Sequence, residues 1–248
     1  MTSRPNHTPF LRRTVRSCLR SLGWELTRYR KDGNVGRFLE NLSRRNFAPK
    51  LIADVGANRG LWTRMALRYF PSAQFVLLEP QESMRPHLDE LCRETPNVRW
   101  LNVAAGESAG MSSINICEDP THSSLLTRAG SAKEDDRRVA TQSVRILSLQ
   151  EACGEVPALV KVDTEGFELQ VLKGCASLMG RTEIFLLELA LTPLWDGSAS
   201  LTDVVRHMAA HGYQVFDIVD KVSTRADGFT RQVDVAFCRN NSRLLQPA

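Results

Sequence analysis

Short apolar segments alternate with amphipathic segments from about residue 50 to residue 103, and this alternation constrains the fold more than any other feature of the sequence. The pattern predicts buried strands at 51–55, 74–79 and 98–103. It predicts a helix over 60–70, which ends before Pro71, and a second helix after residue 82. Strands joined through helices form parallel sheets with right-handed crossovers and covered faces. The sequence therefore predicts an α/β fold.

The alternation is interrupted between residues 104 and 157 and then resumes. Residues 111–117 and 141–147 alternate in the way of half-exposed strands. The polar stretch between them, 118–138, has the length of either a functional lid or a disordered segment, and both remain open. Beyond it, strands are predicted at 158–163, 183–188, 213–217 and 232–238, with helices over 166–173 and 201–211.

Composition narrows the class of protein. The 248 residues suit one large domain, or one domain with an appendage, and contents of 42% hydrophobic and 24% charged residues are those of a soluble globular protein. No secretory signal is visible, so we expect a cytoplasmic protein with reduced thiols. The cysteines show no C-x-x-C pair and no zinc-type spacing, so no metal-binding cysteine site is predicted: Cys18, Cys92, Cys117, Cys153, Cys175 and Cys238.

The positive charge is concentrated in the first 31 residues, which carry a net +7 and leave −3 for the rest of the chain. A mildly acidic body argues against nucleic-acid binding. Thr8, Pro9 and Gly23 are typical of a helix start and stop, and the helix between them is amphipathic and rich in arginine. We interpret residues 1–48 as a basic helical arm that packs on the body or on a homodimer partner. Peripheral contact of residues 9–22 with the inner membrane face, or a transit peptide, are the alternatives.

A glycine turn with an acid at its mouth follows the first strand: Asp54, Gly56, Asn58 and Gly60 form the pattern D-x-G-x-N-x-G. Dinucleotide sites place a pyrophosphate on the helix that follows G-x-G-x-x-G, and a carboxylate here would repel that group. The acid suits a ligand with an ammonium group and no phosphate, such as S-adenosylmethionine. Glu79 ends the second strand 25 residues later and can accept hydrogen bonds from ribose hydroxyls.

Four segments together resemble the FkbM family of S-adenosylmethionine-dependent methyltransferases: DVGANRG at 54–60, LLEP at 77–80, NVAAGE at 102–107 and LVKVDTEGFELQVLKG at 159–174. The resemblance covers roughly residues 50–240, and it leads us to assign 49–240 to the methyltransferase domain and 241–248 to a tail. It implies a class I methyltransferase (Rossmann-like) fold, a seven-stranded mostly parallel sheet with an antiparallel last strand and helices on both faces. It also implies O-methylation of hydroxyls on sugars, glycolipids or polyketides.

The resemblance also assigns site residues. Those that fall on or near the cofactor motifs are Asp54, Gly56, Ala57, Asn58, Gly60, Trp62, Thr63, Glu79, Pro80, Ala104 and Ala105. The sequence departs from the family where an aspartate is usual and Ser148 stands instead. Serine caps a helix equally well, so we expect Ser148 to begin the helix that follows.

Acids at the ends of two later strands predict the chemistry. Asp163 lies at the same sheet edge as Asp54, and we predict that it acts as base or positions the acceptor, with Glu165 in support. In a competing interpretation Asp163, Glu165 and Glu188 bind Mg²⁺, although no metal ligand is assigned. In a third, Glu165 and Glu168 cap the following helix.

Acceptor contacts are predicted for His122 and Ser124 in the long loop and for Glu188, while Trp195 either walls the acceptor site or packs in the core. The resulting hypothesis is an O-methyltransferase that acts on a sugar hydroxyl of a glycan or glycolipid. The alternatives are a small secondary metabolite or a protein side chain as acceptor, and a protein that holds the cofactor without turnover. An NAD-dependent oxidoreductase is disfavoured by Asp54.

Overall fold

The computed structural model describes residues 33–129, 138–224 and 228–246. The predicted arm helix between Thr8 and Gly23 lies outside these ranges. Ten strands are present in the described residues: β1 Leu51–Val55, β2 Gln74–Leu78, β3 Val98–Leu101, β4 Ala104–Ala105, β5 Gly110–Cys117, β6 Arg138–Leu147, β7 Leu159–Val162, β8 Ile184–Ala190, β9 Tyr213–Thr224 and β10 Thr230–Arg239.

The main sheet has seven strands in the order β3-β2-β1-β7-β8-β10-β9. All neighbours from β3 to β8 pair in parallel, whereas β10 runs antiparallel to both β8 and β9. All five residues of β1 are buried, as expected for a central strand covered on both faces. The predicted mostly parallel sheet with an antiparallel last strand is therefore confirmed.

Helices cover both faces of this sheet. On one face pack α1 Gly33–Arg44, α2 Leu61–Ala66 and α3 Arg85–Glu94. On the other pack α4 Leu149–Cys153, α5 Glu168–Lys173 and α6 Leu201–Ala210. Ser148 caps α4 as predicted: its hydroxyl accepts from the Glu151 N–H, and the Glu151 carboxylate accepts from the Ser148 N–H. None of the helices in the described ranges is both long and apolar enough to cross a bilayer.

A second, three-stranded sheet in the order β4-β6-β5 forms from the segment that interrupts the alternation. The half-exposed strands predicted at 111–117 and 141–147 are its antiparallel pair, and β4 joins them in parallel to β6. Residues 118–129, the described part of the long loop, return along β5, where Asn115 and Ser124 exchange backbone hydrogen bonds. This small sheet stands beside the carboxyl edge of the main sheet.

Several elements differ in length from the sequence prediction. Helix α2 ends at Ala66 rather than Phe70, and the residues between Ala66 and Pro71 form hydrogen-bonded turns instead. Strand β9 extends seven residues beyond Asp217, along β10. Both differences occur where the pattern alone cannot distinguish the last turn of a helix or an exposed strand end from a loop.

Both ends assigned to an arm and a tail contribute to the core of the domain. The compact unit that holds the sheet runs from Asn34. Phe38, Leu39 and Leu42 of α1 are buried against it, and so is Leu244 in a 3₁₀ turn at Arg243–Leu245. The boundaries at 48 and 240 remain a proposal, and these contacts favour placing them nearer to 34 and 246.

Candidate active site

The carboxyl ends of β1, β2 and β7 meet at one edge of the sheet, and their following turns remain paired. The Gly56 N–H donates to the Leu78 carbonyl at 2.9 Å, and the Asp163 N–H donates to the Val55 carbonyl at 3.0 Å. These bonds extend the parallel ladders beyond the strands. The glycine turn, the end of β2 and the loop after β7 therefore lie side by side, as the sequence predicted from three acids at three strand ends.

Gly56 has a positive φ of 74°, and a Cβ on it would lie 1.8 Å from the carbonyl oxygen of Asp163. Only glycine tolerates such an approach by neighbouring backbone. Asn58 also has a positive φ, 48°, and its amide side chain accepts from the N–H of Arg59. The turn is thus held in one conformation by its own residues and by the loop after β7.

A cavity opens above this edge. The residues that line it within the described ranges come from the glycine turn, the end of β2, the small sheet and the loop after β7: Val55, Gly56, Asn58, Leu78, Glu79, Pro80, Gln81, Ala104, Ala105, Ile114, Pro120, Thr121, Ser123, Leu125, Asp163, Thr164, Glu165 and Phe167. Six residues predicted for the cofactor and both predicted catalytic acids are among them.

Glu79 lies in the wall of this cavity and is almost fully buried. Burial raises the pKa of its carboxyl group, and the N–H groups of Gln81 and Asn58, which donate to its two oxygens at 2.9 and 2.8 Å, act in the opposite direction. The side-chain oxygen of Gln81 is buried in the same wall and has no hydrogen-bond partner among the described residues. A ligand that donates hydrogen bonds, as ribose hydroxyls or an adenine amino group do, fits this wall.

Five of the residues predicted for the cofactor lie behind the cavity instead of lining it. Asp54 has no exposed surface, and its carboxylate accepts from the Thr63 hydroxyl at 2.6 Å. Ala57 and Trp62 pack in the core on the α1–α3 face. A Cβ on Gly60 would meet the side chains of Leu91 and Leu88, so this glycine permits packing against α3. None of Asp54, Ala57, Gly60, Trp62 and Thr63 is among the residues that line the cavity, because they pack beneath the turn, Trp62 only in part.

Lys161, for which the sequence predicted no role, connects the turn to the loop after β7. It is paired with Asp54 in the β1–β7 register, and its ammonium nitrogen lies 3.5 Å from Asp54 Oδ1. The same nitrogen donates to the Gly56 carbonyl at 3.1 Å and to Asp163 Oδ2 at 3.2 Å. Burial lowers the pKa of Lys161, but Asp163 and Asp54 outweigh it and raise the pKa overall. A lysine in the middle of a buried strand was the available signal, since such a charge requires acids beside it.

Three carboxylates meet beside the cavity, and two of them, Asp163 and Glu165, line it. Asp163, Glu165 and Glu188 can each place one oxygen within 4.8 Å of the others. Glu165 has a positive φ of 53°, and its carbonyl oxygen accepts from the Ser124 hydroxyl at 2.6 Å. Non-glycine residues rarely adopt this conformation, and it is enriched at functional sites. The structure therefore brings these three acids together, and the roles predicted for them stay predictions.

Glu168 braces the loop that carries Glu165. One of its oxygens accepts from the N–H groups of Thr164 and Gly166 at 3.1 and 2.9 Å, and from the Thr164 hydroxyl. Glu168 therefore stabilises the loop before α5 and not the helix end, which has no side-chain cap. The Oε2 atom of Glu165 is buried with no hydrogen-bond partner among the described residues.

The acids perturb one another strongly. Burial, and next the charge of Asp163, raise the pKa of Glu165 well above its ordinary range. The same two causes raise the pKa of Glu188 to about 9 and that of Asp234, its neighbour on β10, to about 7. Glu188 also accepts from the side-chain amide of Gln232 at 2.7 Å. At neutral pH the cluster therefore retains a proton and can exchange it.

The Glu188 shift predicts a pH dependence of stability. Because the folded state holds the proton more tightly than the unfolded chain, this stabilisation is complete below the ordinary pKa of 4.5 and is lost as the pH rises toward 9. We expect the free energy of unfolding of Glu188→Gln to change less with pH over this range than that of the wild type, by at least about 1 kcal/mol. Urea unfolding at pH 5, 7 and 9 measures it. Glu107→Gln, at an exposed position, should keep the wild-type slope; equal slopes for all three proteins would contradict the assignment.

A second cavity, of about 260 Å³, lies on the other side of the segment 123–126. Ser123 and Leu125 line the first cavity, whereas Ser124 and Leu126 line the second. The predicted acceptor residues His122 and Ser124 thus belong to the second cavity, and Glu188 to the acid cluster. Trp195 is nearly fully buried, which agrees with its predicted core packing, and it also walls the second cavity; its role as a wall of the acceptor site stays a prediction.

The fold is that of a class I methyltransferase, with a cavity at the carboxyl edge of its seven-stranded sheet. The chain matches the Methyltransferase FkbM domain over residues 54–215, and it belongs to this family of S-adenosylmethionine-dependent methyltransferases. No curated protein matches it significantly.

Among solved structures, an FkbM methyltransferase from Methylobacillus flagellatus KT superposes with a TM-score of 0.51 at 14% identity, over 77% of this chain and 43% of that one. This chain therefore spans less than half of that protein's length, and the likeness shows the fold alone. A precorrin-6y methyltransferase from Geobacter metallireducens GS-15 is also similar, with a TM-score of 0.43 at 14% identity over 83% of this chain and 86% of that one.

Proposed function

We propose that this protein transfers the methyl group of S-adenosylmethionine to a hydroxyl group of a sugar, in a glycan or a glycolipid. The observation that carries the proposal is the cluster of Asp163, Glu165 and Glu188, the first two of which line the cavity. Alcohols are weak nucleophiles and must lose a proton during methyl transfer, which requires a base at the reacting oxygen. A cluster that holds a charged carboxylate beside protonated ones suits that step.

The residues of the cavity wall would hold the cofactor. We assign the ribose hydroxyls to Glu79, the adenine edge to Gln81 and the Ala104–Ala105 segment, and the methionyl part to the backbone at Gly56 and Asn58. When bound, the cofactor supplies an electrophilic methyl group on a sulfonium. Asp54 acts indirectly in this proposal, since it fixes Lys161, and Lys161 in turn fixes the Gly56 carbonyl and the Asp163 carboxylate.

Asp163 is the proposed base. The ammonium of Lys161 lies on its Oδ2 and holds that carboxylate in one orientation. The acceptor hydroxyl would donate its hydrogen to the remaining lone pairs of Asp163, and this carboxylate would take up the proton that the hydroxyl loses. Glu165 and Glu188 would stay protonated and donate hydrogen bonds to the acceptor, which is consistent with their raised pKa values.

Binding of Mg²⁺ by Asp163, Glu165 and Glu188 is the second candidate for the same site, because three carboxylates within reach of one another suit a hard cation. Two contacts argue against metal binding. Lys161 forms an ion pair with Asp163, and Gln232 donates a hydrogen bond to Glu188, so both occupy carboxylate oxygens that a metal would use. Transfer that is unaffected by a chelator would dismiss it.

Other finer points remain proposals. A secondary metabolite or a protein side chain is the alternative acceptor, and a role in holding the cofactor without turnover is the alternative function. A cytoplasmic location, homodimer formation and contact of residues 9–22 with the membrane stay predictions. The purified chain with and without residues 1–32, mixed with anionic vesicles, would test the membrane contact.

Two substitutions separate cofactor binding from chemistry. We expect Glu79→Gln to weaken S-adenosylmethionine binding by about tenfold or more, because the ribose hydroxyls lose a charged acceptor. We expect Asp163→Asn to retain binding and to reduce methyl transfer by roughly 100-fold or more. Calorimetry measures the first, and a labelled methyl donor with methyl glycosides, glycolipids, phenols and proteins as acceptors measures the second.

Glu107→Gln, in an exposed position just after the Ala104–Ala105 segment, is the matched control for Glu79→Gln. The proposal fails if the wild type does not bind S-adenosylmethionine. It also fails if Asp163→Asn transfers methyl groups to the preferred acceptor at the wild-type rate.

A further inference from the structure

The second cavity is cationic, in contrast to the acid cluster. Arg128, Arg138 and His122 line it, together with the polar side chains of Asn115, Ser124 and Thr127, and none of its lining residues within the described ranges is acidic. The catalytic step as proposed uses none of the three basic residues. A cavity of this charge attracts an anion.

The two arginines are held in place by their neighbours. The guanidinium of Arg128 lies 4.7 Å from the ring centroid of Trp195, and backbone hydrogen bonds on both sides of Arg128 join its segment to that of Trp195, from Ala129 to Leu194 and from Asp196 to Thr127. Arg138 donates to the side-chain oxygen of Asn115 at 3.2 Å. Ordered guanidinium groups bind carboxylates and phosphates well, because little freedom is lost on binding.

The cavity shares a wall with the catalytic loop. Ser124 lines it and donates its hydroxyl hydrogen to the Glu165 carbonyl, and Trp195, which also lines it, packs against Gly166. A molecule anchored in this cavity is therefore separated from the acid cluster only by the segment 123–126 and the ring of Trp195.

We propose that the second cavity is an anion subsite of the acceptor, so that the preferred acceptor is a hydroxylated molecule that carries a carboxylate or a phosphate. This inference rests on the proposed function, because it assigns the acceptor of the same site. It narrows the sugar class to sugar acids and sugar phosphates, either free or within a larger glycan.

The test is a set of binding measurements on the full chain with S-adenosylhomocysteine bound. The probes are methyl glucoside, glucuronate and glucose 6-phosphate. Ligand-observed nuclear magnetic resonance measures the binding of each. We expect at least one anionic probe to bind about tenfold or more tightly than methyl glucoside, and Arg128→Gln and Arg138→Gln each to remove most of that preference. Which anionic probe binds better distinguishes the carboxylate from the phosphate.

Arg145→Gln is the matched control, because Arg145 is exposed on the same strand as Arg138 and outside the cavity. It should leave the preference unchanged. Four results would each overturn the inference. Charged and neutral probes could bind equally, or both anionic probes could fail to bind. The preference could survive both arginine substitutions, or Arg145→Gln could lose it equally. Calorimetric binding of S-adenosylmethionine to the same samples separates this result from a failure of the proposed function.

Discussion

Replacing Gly56 by alanine is expected to destabilise the protein by about 3 kcal/mol or more and to abolish cofactor binding. The added Cβ would lie 1.8 Å from the carbonyl oxygen of Asp163, at a φ of 74°. The colliding atom is backbone at the end of β7, so no side-chain rotation relieves the contact. The glycine turn and the loop after β7 would have to separate, and that separation would also release the Lys161 contacts with both.

Gly154 provides the matched control for this substitution. Its φ is also 74°, but nothing lies within 4 Å of the position that a Cβ would take. Gly154→Ala should therefore cost only the strain of the left-handed conformation, about 1 kcal/mol. Urea unfolding of both variants, with calorimetric titration of S-adenosylmethionine, measures the difference. Equal costs for the two substitutions would show that the contact with Asp163 relaxes freely.

Replacing Lys161 by methionine is expected to cost about 3 kcal/mol of stability. Asp54 is fully buried, and Lys161 is the only cation that the described residues place within 4 Å of it. Methionine fills similar space without the charge, so Asp54 would remain buried with only the Thr63 hydroxyl as its partner. Asp163 would also lose the ammonium group that orients its carboxylate, so the rate of methyl transfer should fall.

A double substitution tests the physical reason. Lys161→Met combined with Asp54→Asn removes both charges, and we expect it to recover at least half of the stability that Lys161→Met loses, without recovery of methyl transfer. Lys173→Met, at an exposed lysine of α5, should be nearly neutral in both assays. Additive effects of the two substitutions, with no recovery, would mean that the pair does not interact.

Much of the site was predictable because strand ends are predictable. A buried strand followed by a glycine turn fixes where its carboxyl end lies, and parallel strands bring such ends to one edge. That reasoning placed Glu79 in the cavity wall and brought Asp163 together with Glu165 and Glu188, as the structure has them. It did not indicate which side of the turn each side chain faces, so Asp54 and Thr63 were expected in the cavity and lie beneath it.

The sequence by itself determined most of the order of the elements and the parallel character of the sheet, since periodicity is a local property of a chain. The motifs identified the family, and the antiparallel last strand followed from that resemblance; helix α1 and the short strand β4 were not predicted. Only the tertiary structure decided the partner of Asp54, because Lys161 is more than a hundred residues away and meets it through the β1–β7 pairing. It alone also joined Arg128, Arg138 and Trp195 around one cavity. Contacts between distant segments depend on how sheets and loops pack, and no local pattern records that packing.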